Sequence, residues 1–236
     1  MCCVTIYKTK DQKLVITHNR DEQISRHQSS NEIITEMIND RKVWMPKDQT
    51  SKGTWVATNG ELTGCILNGY EVNHIKKTKY KASRGTIIPL LFQINNVDKF
   101  IQEFDPIGYE PFTLLIIAQK KGIVEYGWDE QKINVKYLDT NKSHIYSSST
   151  LYNDEVRKYR EQLFFNWLKN DSSENDIWYL HTLKGNDHRH FLNVNYNTEI
   201  STVAISQIIL GTEGIFHYDS LLGDKGRHTI QLTQFH

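Results

Sequence analysis

The sequence predicts an α+β fold in which two antiparallel β-sheets are stacked face to face and helices cover their outer faces. Segments of β-branched and apolar residues occupy the first part of the chain, helical periodicities are grouped in the middle, and strand patterns return near the end. This grouping fits two packed sheets, because each sheet and each helix must bury one apolar face. Strands and helices do not alternate strictly, which argues against a doubly wound parallel sheet. The chain has no Pro/Gly-rich linker and no repeat, so residues 1–236 are expected to form a single domain.

The first two strands are predicted to form a hairpin that positions Cys2. Residues 3–7 and 14–17 are rich in β-branched and apolar side chains, and a polar turn separates them. Antiparallel pairing brings the end of the second strand, residues 19–22, close to the start of the first. We therefore expect Cys2 and the Asn-Arg-Asp-Glu segment that follows His18 to be neighbours in space.

Later segments supply the remaining strands and the helices. Asn59-Gly60 is a strong turn signal between two strand-like segments, residues 54–58 and 62–67. The further predicted elements are a helix capped by Ser83 that runs to Ile94, helices at residues 97–104, 153–168 and 177–183, a hairpin of residues 112–118 and 123–128, and strands at residues 201–210, 214–218 and 227–233.

Cys2 is the strongest candidate for a catalytic residue, because it directly follows the initiator methionine. Removal of Met1 leaves one residue with both a thiol nucleophile and an α-amine. An unperturbed α-amine titrates near ~7.7–8.0 and a thiol near ~8.5, so the pair can exchange a proton near neutral pH. An aspartate at the end of the second strand can accept a hydrogen bond from the ammonium, and an arginine there can favour the thiolate. These features are typical of N-terminal-nucleophile hydrolases.

Composition argues against several other classes of function. The 28 Lys plus Arg residues equal the 28 Asp plus Glu residues and the pI is near 7.1, so there is no electrostatic case for nucleic acid or an anionic membrane as partner. No apolar run approaches the ~20 residues that a membrane span needs. We expect no signal peptide ahead of Cys2, and the three cysteines (Cys2, Cys3 and Cys65) show no paired spacing. We therefore expect a cytoplasmic protein in a reducing compartment.

Several short motifs together resemble the NRDE family, also called the transport and Golgi organisation family. The most specific is Met1-Cys2 combined with Asn19-Arg20-Asp21-Glu22 at the end of the second strand. Further blocks of similarity are Arg26, Gly53-Thr54-Trp55 with Gly60, Leu67-Asn68-Gly69-Tyr70 and Ser83-Arg84-Gly85. The family is similar in turn to N-terminal-nucleophile hydrolases of the choloylglycine hydrolase type. The resemblance therefore implies a four-layer αββα sandwich with Cys2 at one end of a central strand, facing the cleft between the sheets.

The resemblance also implies an acyl reaction on the amide or thioester of a small molecule. Cys2 would attack the carbonyl with its own α-amine as base, and Asp21 would orient the amine. Arg20 would stabilise the thiolate or bind an acidic substrate group. Asn68 and Ser149 are the candidate oxyanion donors, with Ser149 at the position where the hydrolases carry an asparagine. The candidate ligand-binding residues are Asn19, Glu22, Arg26, Trp55 and Arg84.

A non-catalytic carrier is the alternative function. NRDE relatives are linked to haem trafficking and to lipid or acyl-CoA metabolism, so the same fold can hold haem or an acyl lipid without cleaving it. Cys2 or a histidine would then contact the haem iron. A retained Met1 would favour this alternative, because it blocks the α-amine of Cys2. No other cofactor or metal is expected, since His188 and His190 supply too few ligands for zinc, and the oligomeric state stays open.

Overall fold

The computed structural model describes residues 2–26, 30, 32–169, 174–184, 191–196, 199–222 and 226–232. None of the helices in this described part of the chain is long and apolar enough to span a membrane. The strands are β1 (Cys2–Lys8), β2 (Leu14–Gln23), β3 (Ile34–Ile38), β4 (Arg41–Met45), β5 (Val56–Thr58), β6 (Leu62–Asn68), β7 (Phe112–Ala118), β8 (Gly122–Trp128), β9 (Ile133–Leu138), β10 (His144–Ser147), β11 (Asn195–Tyr196), β12 (Ile200–Leu210), β13 (Gly214–Ser220) and β14 (Arg227–Leu232). The helices are α1 (Ile87–Ile94), α2 (Val97–Glu103), α3 (Asp154–Leu168) and α4 (Glu174–Thr182), with short 3-10 turns at Ile24–Arg26 and Arg84–Thr86.

The strands form two antiparallel sheets that pack face to face. The first sheet has the order β10-β1-β2-β12-β13-β14, with β11 paired to β12, and the second has the order β3-β4-β5-β6-β7-β8-β9. Helix α1 packs on β6 and α2 packs on α1, whereas α3 contacts β10 and α4 contacts β2. The result is the four-layer αββα sandwich predicted from the sequence, and one apolar core cluster contains side chains of both sheets. The assignment of the whole chain to one domain stays a prediction.

Alternation along β1 and β2 explains why these two segments are interior strands of the first sheet. The register pairs Cys2 with Arg20 and Val4 with His18. Side chains at these positions point between the sheets, where Val4 joins the large shared core. The intervening residues, such as Cys3, face α3 and α4 and belong to a second apolar cluster. Both faces of β1 are therefore buried, and Cys2 begins the strand at the edge of the inter-sheet space.

The structure contains strands that the sequence patterns did not predict. Strands β3, β9 and β10 lie at sheet edges, where many of their side chains remain partly exposed. Such positions accept charged and polar residues, so the apolar pattern that marks a strand is weak there. The predicted helix cap at Ser83 is also wrong: its side chain makes no capping hydrogen bond, and the 3-10 turn at Arg84–Thr86 comes before α1.

Candidate active site

A cleft of about 400 Å³ opens between the two sheets beside the start of β1, and Cys2 lies in its wall. Five other residues predicted for the site line the same cleft, namely Arg20, Glu22, Trp55, Asn68 and Arg84. Polar and charged side chains dominate the lining, and among the described residues only Trp55 and Ile66 contribute large apolar side chains to it. The further polar lining residues are Gln23, Asp48, Ser51, Thr54, Asn73, His74, Lys76, Ser83, Glu110 and Thr150.

Cys2 is held at the cleft by its strand neighbours. It lies opposite Arg20 on β2, its carbonyl oxygen accepts a hydrogen bond from the N–H of Ser148 (2.9 Å), and the residue is only 3% exposed. Burial raises the pKa of the thiol, and the opposing charge of Arg20 does not offset this effect. The group in the cleft wall is therefore a thiol, which differs from the expectation that Arg20 favours a thiolate.

Arg20 is neutralised by neighbouring carboxylates, which explains its weak effect on the thiol. Its guanidinium forms an ion pair with Asp48, lies 3.8 Å from the carboxylate of Glu22, and stacks 4.1 Å from the ring centroid of Trp55. Asp48 is itself fixed, because its carboxylate accepts a hydrogen bond from the backbone N–H of Ser51 (2.8 Å). Burial alone would raise the pKa of Asp48, but the Ser51 N–H and the Arg20 charge bring it below its usual value. Arg20 and Asp48 thus form a fixed, nearly neutral pair.

Strand alternation divides the Asn-Arg-Asp-Glu segment between the two faces of β2. Its second and fourth side chains line the cleft, whereas its first and third lie under the helices. The side-chain amide of Asn19 donates to the backbone oxygens of His181 (2.9 Å) and Leu192 (2.7 Å). Asn19 therefore anchors α4 to the sheet, and the structure does not bring it into the cleft where a ligand-binding role was expected.

Asp21 lies on the helix side of the first sheet. Its fully buried carboxylate accepts hydrogen bonds from the hydroxyls of Tyr152 (2.6 Å) and Thr202 (2.7 Å). The register of β1 and β2 places it on the side of the Cys2 backbone nitrogen, away from the cleft. Burial raises the pKa of Asp21, while the positive charge of Arg160 on α3 acts in the opposite direction. Asp21 is thus close to the N-terminal end of β1 without lining the cleft.

The two predicted oxyanion donors are separated by the structure. Asn68 ends β6 and lines the cleft, and its backbone oxygen accepts a hydrogen bond from the hydroxyl of Ser148 (2.7 Å). Ser149 lines a second cavity of about 220 Å³, where its hydroxyl donates to the backbone oxygen of Val72 (3.1 Å). Ser149 therefore lies outside the cleft that contains Cys2, and Thr150, one residue further on, lines that cleft instead.

Close contact between two glycines brings Trp55 and Arg84 to the cleft. A Cβ on Gly53 would lie 2.7 Å from the carbonyl carbon of Gly85, which is closer than side chains pack. The N–H of Thr54 donates to the oxygen of Gly85 (3.0 Å) and holds the two segments side by side. The Gly-Thr-Trp and Ser-Arg-Gly motifs are therefore structural partners, and each needs a glycine for the other to fit.

Arg84 belongs to a second charged group in the cleft wall. Its guanidinium lies 3.1 Å from one carboxylate oxygen of Glu110 and donates to the backbone oxygen of Pro111 (3.1 Å). The Nε2 atom of His74 lies 3.2 Å from the other oxygen of Glu110. Burial lowers the pKa of Arg84, whereas the negative charges of Glu110 and of a Cys2 thiolate act to raise it. Arg84 is therefore within electrostatic reach of the sulfur.

Among the cleft residues that sequence reasoning missed are Asp48, His74, Glu110 and Thr150. All four lie outside the named helices and strands, and loop side chains carry no periodic pattern that would predict a shared cleft. One local signal was present: an aspartate followed by small polar residues tends to bond the backbone two or three residues on, as Asp48 does.

Two sets of sequence predictions fall on residues that the structure does not describe. One is the side chain of Arg26, which ends the first 3-10 turn, and the other is the pair His188 and His190. Elsewhere, across the residues that are described, no group of His, Cys, Asp and Glu is arranged to hold a metal ion.

The stacked sheets, the outer helices and the cysteine at the inter-sheet cleft define a fold like that of the N-terminal-nucleophile hydrolases. A variant of the conjugated bile acid hydrolase from Clostridium perfringens matches with a TM-score of 0.60 and 13% identity, covering 98% of this chain and 92% of that chain. Penicillin V acylase from Agrobacterium tumefaciens matches with a TM-score of 0.57 and 8% identity, covering 99% of this chain and 87% of that chain. At these identities the similarity shows the fold.

The chain belongs to the family described as Transport and Golgi organisation 2, which it matches over residues 1–213. The match confirms the resemblance inferred from the short motifs, and it extends well beyond the first hundred residues that carry them. Among curated protein sequences, none is similar enough to this chain to count as a match.

Proposed function

We propose that this protein is an N-terminal-nucleophile hydrolase or acyl transferase in which Cys2, after removal of Met1, acts on an amide or thioester of a small polar molecule. The observation that carries the proposal is the position of Cys2, which begins an interior strand and lies in the wall of a polar cleft between the sheets. The structural neighbours are named as a hydrolase and an acylase, which supports acyl chemistry on this fold.

The proposed reaction uses groups of Cys2 and one neighbouring amide. The sulfur forms a bond to the carbonyl carbon while the thiol proton passes to the α-amine, a base that is needed because burial raises the pKa of the thiol. The carbonyl oxygen becomes an oxyanion, and the side-chain amide of Asn68 in the cleft is its candidate donor. The proton then moves to the leaving nitrogen or sulfur as the intermediate collapses to an acyl-Cys2 thioester. Water or another nucleophile attacks this thioester, and its proton returns to the sulfur through the amine.

Asp21 is the proposed positioning residue for the α-amine. It lies on the side of the Cys2 backbone nitrogen, and two hydroxyl donors, Tyr152 and Thr202, fix the orientation of its carboxylate. A carboxylate held in this way can accept a hydrogen bond from the ammonium without reaching the substrate. Arg20, paired with Asp48, has the role of shaping the cleft beside the sulfur.

The polar lining argues for this enzyme and against a carrier of haem or an acyl lipid. Most of the surface of either ligand is apolar, and in this cleft the porphyrin ring or the acyl chain would remove water from the Arg20–Asp48 and Arg84–Glu110 pairs without replacing its hydrogen bonds. A small polar ligand keeps these groups bonded. Titration with haem, followed by absorbance, measures the carrier alternative directly, and we expect no saturable binding at the cleft.

The intact mass of the purified protein tests the proposed enzyme. We expect a mass lower by one methionine residue, and one added acyl group after treatment with a thiol-reactive acylating probe. Cys2→Ala should abolish the adduct, whereas the matched control Cys65→Ala should keep it, because Cys65 is fully buried in the core. A protein that retains Met1 and takes up no acyl group on Cys2 would contradict the proposal.

A further inference from the structure

The face of the first sheet that borders the second sheet carries paired side chains beside Cys2. In the register of β1 and β2, Cys2 lies opposite Arg20, and His18 comes two residues before Arg20 on the same face. In the register of β2 and β12, Arg20 lies opposite Ala204, and His18 lies opposite Ser206. Directly opposite residues of antiparallel strands are neighbours on one face of the sheet. His18 and Ser206 therefore lie side by side between the sheets, one row deeper than Arg20 and Ala204.

Strand β13 and one aromatic side chain of the second sheet complete this group. Ser220 lies opposite Ala204, and Tyr218 comes two residues before Ser220 on the same face. The ring of Trp55, which precedes β5, lies over the guanidinium of Arg20 at 4.1 Å and contacts the ring of Tyr218 at a centroid distance of 6.4 Å. Arg20 and Tyr218 lie on opposite sides of β12, so the indole extends across the small side chain of Ala204.

Four residues of this group carry buried polar atoms that have no hydrogen-bond partner among the described residues. These atoms are both ring nitrogens of His18, the hydroxyl oxygens of Ser206 and Ser220, and Nε1 of Trp55. None of the four residues is more than 5% exposed. Buried polar atoms of native proteins are nearly always paired with protein, water or a ligand. Because these atoms belong to neighbouring residues, a small bound cluster can be the partner of several of them.

The chemistry of these atoms calls for a neutral partner that both donates and accepts. Burial lowers the pKa of His18 well below its usual value, so its ring is neutral and has one donor and one acceptor nitrogen. A hydroxyl can donate and accept, whereas an indole N–H only donates. An ion would find no opposite charge here, since Arg20 beside the group is already paired with Asp48. Water meets these needs, and a buried water typically makes about three hydrogen bonds.

We propose that His18, Ser206, Ser220 and Trp55 bind a cluster of ordered water molecules between the two sheets. Three of these residues belong to strands of the first sheet and Trp55 directly precedes a strand of the second, so the water connects the sheets. Trp55 also lines the cleft that contains Cys2, and the water therefore holds an indole that forms part of the cleft wall. Binding of this water does not require Cys2 to react, so it is independent of the proposed function.

A crystal structure of the unmodified chain, at a resolution that shows ordered water, tests the site directly. We expect water within about 3.2 Å of Trp55 Nε1 and of at least one polar atom of the three first-sheet residues. The buried indole of Trp128 is the control in the same crystal, because its Nε1 donates to the backbone oxygen of Tyr109 (3.1 Å) and should have no water partner. An ion at the site, or direct hydrogen bonds among the four side chains without water, would overturn the proposal.

Pairs of variants test whether one water cluster serves several residues. Trp55→Phe keeps an aromatic ring without the N–H, and Ser206→Ala removes a hydroxyl. Partners of the same water are interdependent, so the double variant should shift the urea midpoint of unfolding by clearly less than the sum of the two single shifts. Trp128→Phe is the matched control, and its shift should add to that of Ser206→Ala, because its indole has a protein partner. Additive shifts for Trp55→Phe and Ser206→Ala would overturn the shared site. Ser220→Ala takes the place of Ser206→Ala if that variant does not fold.

Discussion

Lowering the pH should destabilise this protein through His181, because that side chain is buried in its neutral form. Its Nδ1–H donates to Oδ1 of Asn19, and its Nε2 accepts from the hydroxyl of Thr5, both at 2.8 Å. The Asn19 oxygen can only accept, which fixes this tautomer. Burial lowers the pKa of His181 from 6.5 to about 3, so the ring stays neutral in the folded protein at pH values where a free histidine is charged.

The size of the effect follows from the two pKa values. The unfolded chain binds a proton at His181 below pH 6.5, but the folded chain does so only near pH 3, so unfolding takes up a proton in this window. The contribution of His181 to stability is therefore fully present above pH 6.5, and it falls as the pH is lowered. The loss approaches about 1.4 kcal/mol of unfolding free energy for each pH unit, or about 2.7 kcal/mol over two units.

Urea unfolding at pH 7, 6 and 5, followed by circular dichroism, measures this slope. His181→Gln keeps a donor and an acceptor but cannot titrate, so it should reduce the loss of unfolding free energy between pH 7 and pH 5 by about 2 kcal/mol. Burial also lowers the pKa of His18, and some slope should therefore remain. His144→Gln is the control, since this ring bonds a backbone oxygen on an exposed edge. The same slope in His181→Gln and the unmodified protein would refute the reasoning.

Three further changes have expected outcomes. Asp21→Asn removes a fully buried carboxylate that faces two hydroxyl donors and the charge of Arg160. We expect it to lower the unfolding free energy by about 3 kcal/mol and to slow the acylation of Cys2. A urea curve identical to that of the unmodified protein would contradict the expected loss of stability. Gly53→Ala forces backbone apart and should cost about 2 kcal/mol, whereas Gly211→Ala, whose Cβ would meet only a flexible lysine side chain, should cost clearly less in the same assay. Iodoacetamide at neutral pH should alkylate Cys2 before the other two cysteines, which are fully buried, and equal labelling in peptide maps would count against an accessible nucleophile.

Local patterns predicted the hairpin and the sandwich because both depend on burial of alternate side chains. The same alternation, applied residue by residue, would also have divided the Asn-Arg-Asp-Glu segment. Cys2 is paired with Arg20, so a period of two puts Glu22 on the same face and puts Asn19 and Asp21 on the other. The sequence prediction treated the four residues as one group near Cys2. It therefore predicted that they lie close to Cys2, but not which face of the sheet each side chain occupies.

The sequence did not predict which loop side chains face the cleft, for a different physical reason. Ser149 and Thr150 are adjacent in a turn, where neither strand nor helix periodicity determines which side chain faces the cleft. Arg20 pairs with Asp48, 28 positions further along the chain, and Arg84 pairs with Glu110, 26 positions further along. Both of these acidic partners lie outside the helices and strands. Contacts of this kind depend on the assembled fold, and no short window of sequence contains them.

Ser148 has a mechanical consequence that follows from its two hydrogen bonds. Its N–H bonds the carbonyl oxygen of Cys2 in one sheet, and its hydroxyl bonds the backbone oxygen of Asn68 in the other. Two packed sheets can slide or rotate slightly as rigid bodies, and the distance between groups on opposite sheets then varies. Because Ser148 is bonded to both sheets at this corner, it limits that variation at the place where, in the proposed reaction, the sulfur and the amide act together. The spacing between Cys2 and Asn68 should therefore be less sensitive to repacking of the core than to any change at position 148.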